Sequence, residues 1–202
     1  MATAIIPLFP LEVVLLPGAW LPLHIFEPRY KEMMGWCLQQ AAPFGIILEQ
    51  GHKLERVGCT ASILGVVKKY PDGRMDISTQ GEQRFQVENV LSDRAYHRAS
   101  VIFFDDHAGP PPSPSLLARA SALYEKIADE IARGKPQAFD RSPARVSFEI
   151  AAALPFDLEL KQKLLEMRAE GARLELLISE MSQWLPRMER ARKAAGGNGH
   201  FH

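Results

Sequence analysis

The stretch Phe26-Glu27-Pro28-Arg29-Tyr30 packs two aromatic rings, a carboxylate and a guanidinium into five residues, two positions after His24. One chemistry such a set can perform is non-covalent. Its aromatic surface and its Glu27–Arg29 charge pair can line a groove that holds a peptide. The alternative is structural. Phe26 and Tyr30 then enter the core, and Glu27 begins a helix whose dipole favours an anion. Arg84-Phe85 admits the same two readings. The candidate peptide-contacting set is therefore His24, Phe26, Glu27, Arg29, Tyr30, Arg84 and Phe85.

Other residue types offer less. Asp105-Asp106 is a carboxylate pair suited to acid–base work, or a strand end in solvent. The six histidines, His24, His52, His97, His107, His200 and His202, fall in neither a Cys-x-x-Cys nor a His-Glu-x-x-His pattern, so no metal is expected. Gly134-Lys135-Pro136 lacks the first glycine and the hydroxyl of a phosphate-cradling loop, and Pro136 removes a backbone donor. There is no Gly-x-Ser-x-Gly elbow. Serines gather in linkers and helix starts, and Ser147 falls on a helix without an assignable basic partner. Arg187, Arg190, Arg192 and Lys193 form one basic run. It lacks interleaved aromatics for base stacking and reads as a solvated helix face.

The elements that must position these residues change character near His107. Before it come short apolar runs separated by turn residues: Ile5–Phe9, Val13–Leu16, Leu21–Phe26, Phe44–Glu49, Ala61–Tyr70, Met75–Thr79, Arg84–Val90 and Ala99–Phe104. Their β-branched and aromatic content predicts strands. Pro71-Asp72-Gly73 predicts a hairpin turn, and Gly81 a bulge or bend. Pro28 opens a helix carrying Tyr30, Met33, Met34, Cys37 and Leu38. Residues 107–115 form a proline-rich linker. Four helices then follow. Ser113 or Ser115 caps the first and Gly134 stops it. Ser142-Pro143 starts the second, Asp157 caps the third, and Pro186 kinks or ends the fourth. The expected fold is α+β, a β-rich unit over 1–106 and a helical, bundle-like unit over 116–193, with a tail over 194–202.

Composition excludes further classes. The chain has 202 residues, 47% of them apolar, which suffices for a core without staples. Twenty-four basic and 24 acidic residues cancel, so no long-range field draws it to nucleic acid or anionic membrane. Cys37 and Cys59 do not form a disulfide framework. Glu12 and the prolines at 7, 10, 17 and 22 break the apolar N-terminus, which reads as neither signal peptide nor membrane helix. A cytoplasmic setting is expected.

Three stretches occur in order: Ile6–Leu11 through Leu16-Pro17-Gly18 to Leu21–Tyr30; Val57–Leu64 with Pro71-Asp72-Gly73 and Gly81-Glu82-Gln83-Arg84-Phe85; and Leu154-Pro155-Phe156 through Lys161–Met167 to Arg173–Leu177. Together they resemble the N-terminal domain of Lon proteases. The resemblance implies a PUA-like pseudo-barrel followed by a helical subdomain. It implies a non-catalytic module that recognises unfolded or extended polypeptide, and a protease or chaperone as a further partner. The chain is expected to stand alone, without the AAA+ and Ser-Lys protease domains of full-length relatives, and without a cofactor. Two alternatives remain: an RNA-binding PUA-like protein, and a small-ligand or hydrolase pocket between the subdomains. A strand edge pairing with peptide backbone is one binding mode open to it.

Overall fold

Strand signals at the N-terminal half and helical periodicity at the C-terminal half both become real elements in the computed structural model, which describes residues 3–132 and 145–196. The strands are β1 (Thr3–Leu11), β2 (Trp20–Ile25), β3 (Phe44–Gln50), β4 (Lys53–Lys69), β5 (Met75–Leu91) and β6 (Arg98–Phe103); α1 (Pro28–Gln40) lies between β2 and β3. The helices α2 (Pro114–Ala132), α3 (Val146–Ala153), α4 (Leu158–Glu166) and α5 (Glu170–Gly196) follow. The fold class is α+β, as expected.

The sheet runs β2-β5-β4-β3-β1-β6, and a further β5–β6 pairing closes it. Five strands thus form a barrel, with β2 added outside the closure. Among the described residues only β1 and β3 pair in parallel; the other pairings are antiparallel. The two runs expected around Gly81 are one strand, because β5 is long enough to serve two partners. Its first half, Met75–Gln80, pairs with β2, and its second half, Phe85–Leu91, pairs with β6. The expected run Val13–Leu16 is not a strand. Its residues Val14, Leu15 and Leu16 are buried as a loop, so their apolar content serves the core and not a ladder.

Ile6, Leu8, Ile47, Phe85, Val87, Ala99 and Val101 fill one core cluster of the barrel. Alternation explains it: on β5, Phe85 and Val87 point in while Gln86 and Glu88 point out. Phe85 fits because β3 and β4 present glycine beside it. A Cβ at Gly58 would stand 2.4 Å from the Phe85 ring and 2.4 Å from the Ile46 carbonyl. The Tyr70–Arg74 turn joins β4 to β5 as its residues dictate. Gly73 holds φ 82°, and its N–H donates to the Tyr70 carbonyl at 3.0 Å.

The described chain forms two compact units. One is 1–106 with 156–168; the other is 107–155 with 169–202. The third helix, α4, therefore belongs with the strands. Asp157 caps it by accepting from the Leu160 N–H at 2.8 Å, and its Gln162 side chain donates to the Val57 carbonyl of β4 at 3.1 Å. The second unit is built on α2, α3 and α5. Ser113 caps α2, accepting from the Leu116 N–H at 3.2 Å. Helix α5 runs through Pro186, where a kink or an end was expected, so the proline does not end it. The proline removes one hydrogen bond, and Ser182, whose carbonyl loses it, is exposed. The expected helix signals Gly134 and Ser142-Pro143, and residues 197–202 of the tail, lie outside the described residues.

Candidate functional site

Strand β2 carries the first site residues because β5 outruns the barrel and offers it a ladder. Three strands, β2, the first half of β5 and the second half of β4, form an extension with Trp20–Gln80, Pro22–Ser78 and His24–Asp76 as neighbouring pairs on one face. Period-two alternation puts Ile25, Met75 and Ile77 on the other face, where all three are buried. The outer face is aromatic. Trp20 is 64% exposed and Phe26 58% exposed. Trp20 lies towards β5, its indole N–H donating to Ser78 Oγ at 2.6 Å.

His24 organises the other end. Its ring stacks on Phe26 with centroids 5.9 Å apart and meets Tyr70 edge-on at 5.9 Å. Its Nδ1 lies 2.5 Å from Asp76 Oδ1, and the Tyr70 hydroxyl donates to Asp76 Oδ2 at 2.9 Å. These bonds, from His24 first and then Tyr70, hold the Asp76 carboxyl below the usual carboxylate range. Lys68 and Arg74 stand over the Tyr70 ring at 4.5 and 5.1 Å. The result is a cluster of Phe26, His24 and Tyr70 held by a fixed anion.

The remaining candidates divide by burial. Glu27 is the residue before the first turn of α1 and pairs with Arg29 at 2.8 Å. Arg29 covers the Tyr30 ring at 4.6 Å. Tyr30 is buried against Phe9, centroids 4.1 Å apart, and that burial raises its hydroxyl pKa. Of the pair expected in the core, Tyr30 enters it and Phe26 does not. Phe26 follows β2 directly, ahead of the helix, and its ring stacks outward on His24. Arg84 is 5% exposed. Its guanidinium donates to the Leu165 and Met167 carbonyls at 3.2 and 2.6 Å, pairs with Asp106 at 2.5 Å and stacks on Phe104 at 4.7 Å. It thus ties the end of α4 to the barrel. Phe85 is fully buried. The structure brings His24 and Phe26 together, and sets Arg84 and Phe85 apart from them.

Sequence reasoning missed Trp20, Tyr70 and Asp76. The signal for Trp20 was available, since it lies four residues before His24 and shares its face in any strand. Tyr70 and Asp76 needed the β4–β5 register, which composition does not give.

Two other candidates also resolve. Ser147 has a basic partner after all: its Oγ donates to Glu170 at 2.6 Å and accepts from Arg173 Nε at 2.8 Å. All three are buried, so the arrangement is a structural network closed to solvent. Asp106 is the Arg84 partner, and the Asp105 carbonyl accepts from Arg168 at 3.0 Å. Cys37 and Cys59 are both buried, and the Cys59 thiol donates to the Thr60 carbonyl at 3.5 Å. Arg187 and Arg190 are exposed on α5; the side chains of Arg192 and Lys193, and His200 and His202, lie outside the described residues.

Comparison with known proteins places this geometry in context. Residues 5–183 match the family model described as the ATP-dependent protease La (LON) substrate-binding domain. The Lon protease of Escherichia coli is 32% identical over 194 residues, covering 87% of this chain and 24% of that protein. The Lon protease of Amoebophilus asiaticus is 25% identical over 186 residues, 82% of this chain and 22% of that one. The chain thus spans under a quarter of the length of these relatives. The Lon N-terminal domain protein from Xanthomonas campestris has the same fold, with a TM-score of 0.69, 23% identity, and coverage of 87% of this chain and 98% of its own.

Proposed function

The chain belongs to the Lon substrate-binding domain family, and from that premise we propose that it is a non-catalytic recognition module for unfolded or extended polypeptide. The observation that carries the reading is the outer face of the three-strand extension, where Trp20 and Phe26 stand largely exposed beside His24 and Tyr70. Exposed aromatics on a rigid strand platform provide contact area at low entropic cost. Asp76 fixes His24 and Tyr70 before any ligand arrives, so little ordering remains to be paid on binding. Folded clients bury the side chains this face would hold; unfolded ones present them.

A captured chain then passes to a protease or chaperone, and no chemical step is assigned to the residues of this module. Cys37 and Cys59, both buried as thiols, support placing it in the cytoplasm. The test is fluorescence anisotropy of a labelled, permanently unfolded polypeptide, with a folded protein and an RNA as competitors. Saturable binding is expected, displaced by other unfolded chains and not by RNA. The double variant Trp20→Ala/Phe26→Ala is expected to weaken it about tenfold. Binding indifferent to that variant, or displaced by RNA, overturns the reading.

A further inference from the structure

Strand β4 is paired on both sides only over its first half. Strand β3 leaves it at Ala61, opposite Phe44, and from Ser62 to Lys69 its sole strand neighbour among the described residues is β5. The second edge of that segment is open. On average every second residue there turns its N–H and C=O towards solvent. The side chains agree: Leu64 is 58%, Val66 42% and Val67 72% exposed. An open edge carrying β-branched apolar residues is a template for another strand.

Edges of this kind are normally blunted. On the opposite side of the extension, Pro22 blunts β2, since it has no N–H to offer. On β4 the segment contains no proline. Two register shifts, at Ile63/Gly65 and Val66/Lys68, bend it. Gly65 adds no side chain, and a Cβ there would meet nothing within 4 Å. The edge ends in positive charge. Lys68 lies over the Tyr70 ring, Lys69 follows it, and neither makes an ion pair among the described residues.

We infer that the open edge of β4 takes a strand from the client: an extended segment with bulky apolar side chains at alternate positions and carboxylates at the end facing Lys68 and Lys69. Backbone hydrogen bonds supply sequence-tolerant affinity, which suits a receptor for many unfolded chains. The apolar side chains add contact with Leu64, Val66 and Val67. The lysine pair sets the direction of the added strand. The inference rests on the polypeptide-recognition reading and names its binding mode.

The probe is a short fluorescein-labelled peptide of alternating valine and threonine ending in two glutamates, titrated against the unaltered protein. Two analogues carry backbone N-methyl groups on alternate residues, in complementary sets. Only one set of peptide N–H groups faces the edge, so one analogue is expected to lose about tenfold in affinity and the other to bind like the parent. Replacing the glutamates by lysine is expected to cost about fivefold at low salt, a preference that Lys68→Glu/Lys69→Glu reverses. Equal binding of both methylated analogues, with the parent still bound and still sensitive to Trp20→Ala/Phe26→Ala, overturns edge pairing and leaves the recognition reading standing. Absence of any polypeptide binding overturns both. A dimer in sedimentation without peptide assigns the edge to a second copy of the chain and overturns the client strand. Displacement of the peptide by RNA does the same.

Discussion

Cys37 shows how a side chain's surroundings decide whether it can react. It sits on α1 at 1% exposure, and burial alone pushes its thiol up to about 12. A neutral thiol is a poor nucleophile. Native protein is therefore expected to leave Cys37 unmodified by a thiol reagent at neutral pH, with labelling appearing only as denaturant unfolds the chain. The same shift fixes a pH dependence. The unfolded thiol ionises near the ordinary value of about 8.5, while the folded one keeps its proton to about 12. Between those values the unfolded state binds fewer protons, so stability is full below about 8.5 and falls as pH rises. A urea midpoint that declines from pH 8.5 towards 10, and declines less in Cys37→Ala, is the expected outcome. Gly58 argues the complementary point about space. Gly58→Ala sets a methyl against both the Ile46 carbonyl and the Phe85 ring, and is expected to cost about 1–3 kcal/mol in thermal or urea denaturation.

At the scale of elements, the β4–β5 hairpin depends on its carboxylates. The Arg74 backbone N–H holds the Asp72 carboxyl below its usual range first, and the Arg74 guanidinium adds to it; His24 and then Tyr70 do so for Asp76. Both carboxyls are ionised more readily in the folded chain than in the unfolded one. Their contribution is therefore present above the unfolded value of about 3.9 and lost as pH falls through the lower folded values. Amide-exchange protection over Lys68–Ile77, taken relative to the intrinsic rate at each pH, is expected to fall below about pH 4, with Asp76→Asn showing a smaller acid response than the native chain. Much of this element was legible. Pro71-Asp72-Gly73 predicts its turn from φ preferences alone, and β-branched runs predict both strands. The partnership of β5 was not, because a strand's neighbours are a matter of register and length. Two register shifts in β4 set Lys68 opposite Asp76, where an unbroken ladder would have set it opposite Arg74. The site was legible to the same depth. His24 and Phe26 stand on the face that period two assigns them, whereas the burial of Arg84 depends on backbone carbonyls more than eighty residues away.

For the whole molecule, each compact unit carries its own buried ionic lock. In the strand unit it is Arg84, with Asp106 and the carbonyls of Leu165 and Met167. In the helical unit it is Arg173, with Glu170 and Ser147, stacked on Phe148 at 4.2 Å. Local sequence can announce neither, since charged residues with helical spacing read as an exposed face until packing closes over them. Helix α4 makes the same point: adjacent to α3 in sequence, it joins the strands, with Gln162 donating to the Val57 carbonyl of β4, while its neighbours α3 and α5 belong to the other unit. The helical lock has a definite energetic signature. Glu170 satisfies the Ser147 N–H, the Ser147 hydroxyl and the Arg173 guanidinium at once. Glu170→Ala removes three acceptor contacts and leaves a guanidinium at 0% exposure without its carboxylate. Breaking a buried pair from one side costs about 3–5 kcal/mol, whereas replacing both partners by apolar residues of similar volume costs far less. Hydrogen exchange across α2, α3 and α5 is therefore expected to accelerate markedly in Glu170→Ala. The double variant Glu170→Leu/Arg173→Met is expected to recover much of the loss, because no charge is left buried alone. Equal destabilisation by both variants would mean that the lock acts through its hydrogen bonds to Ser147 and not through its charge.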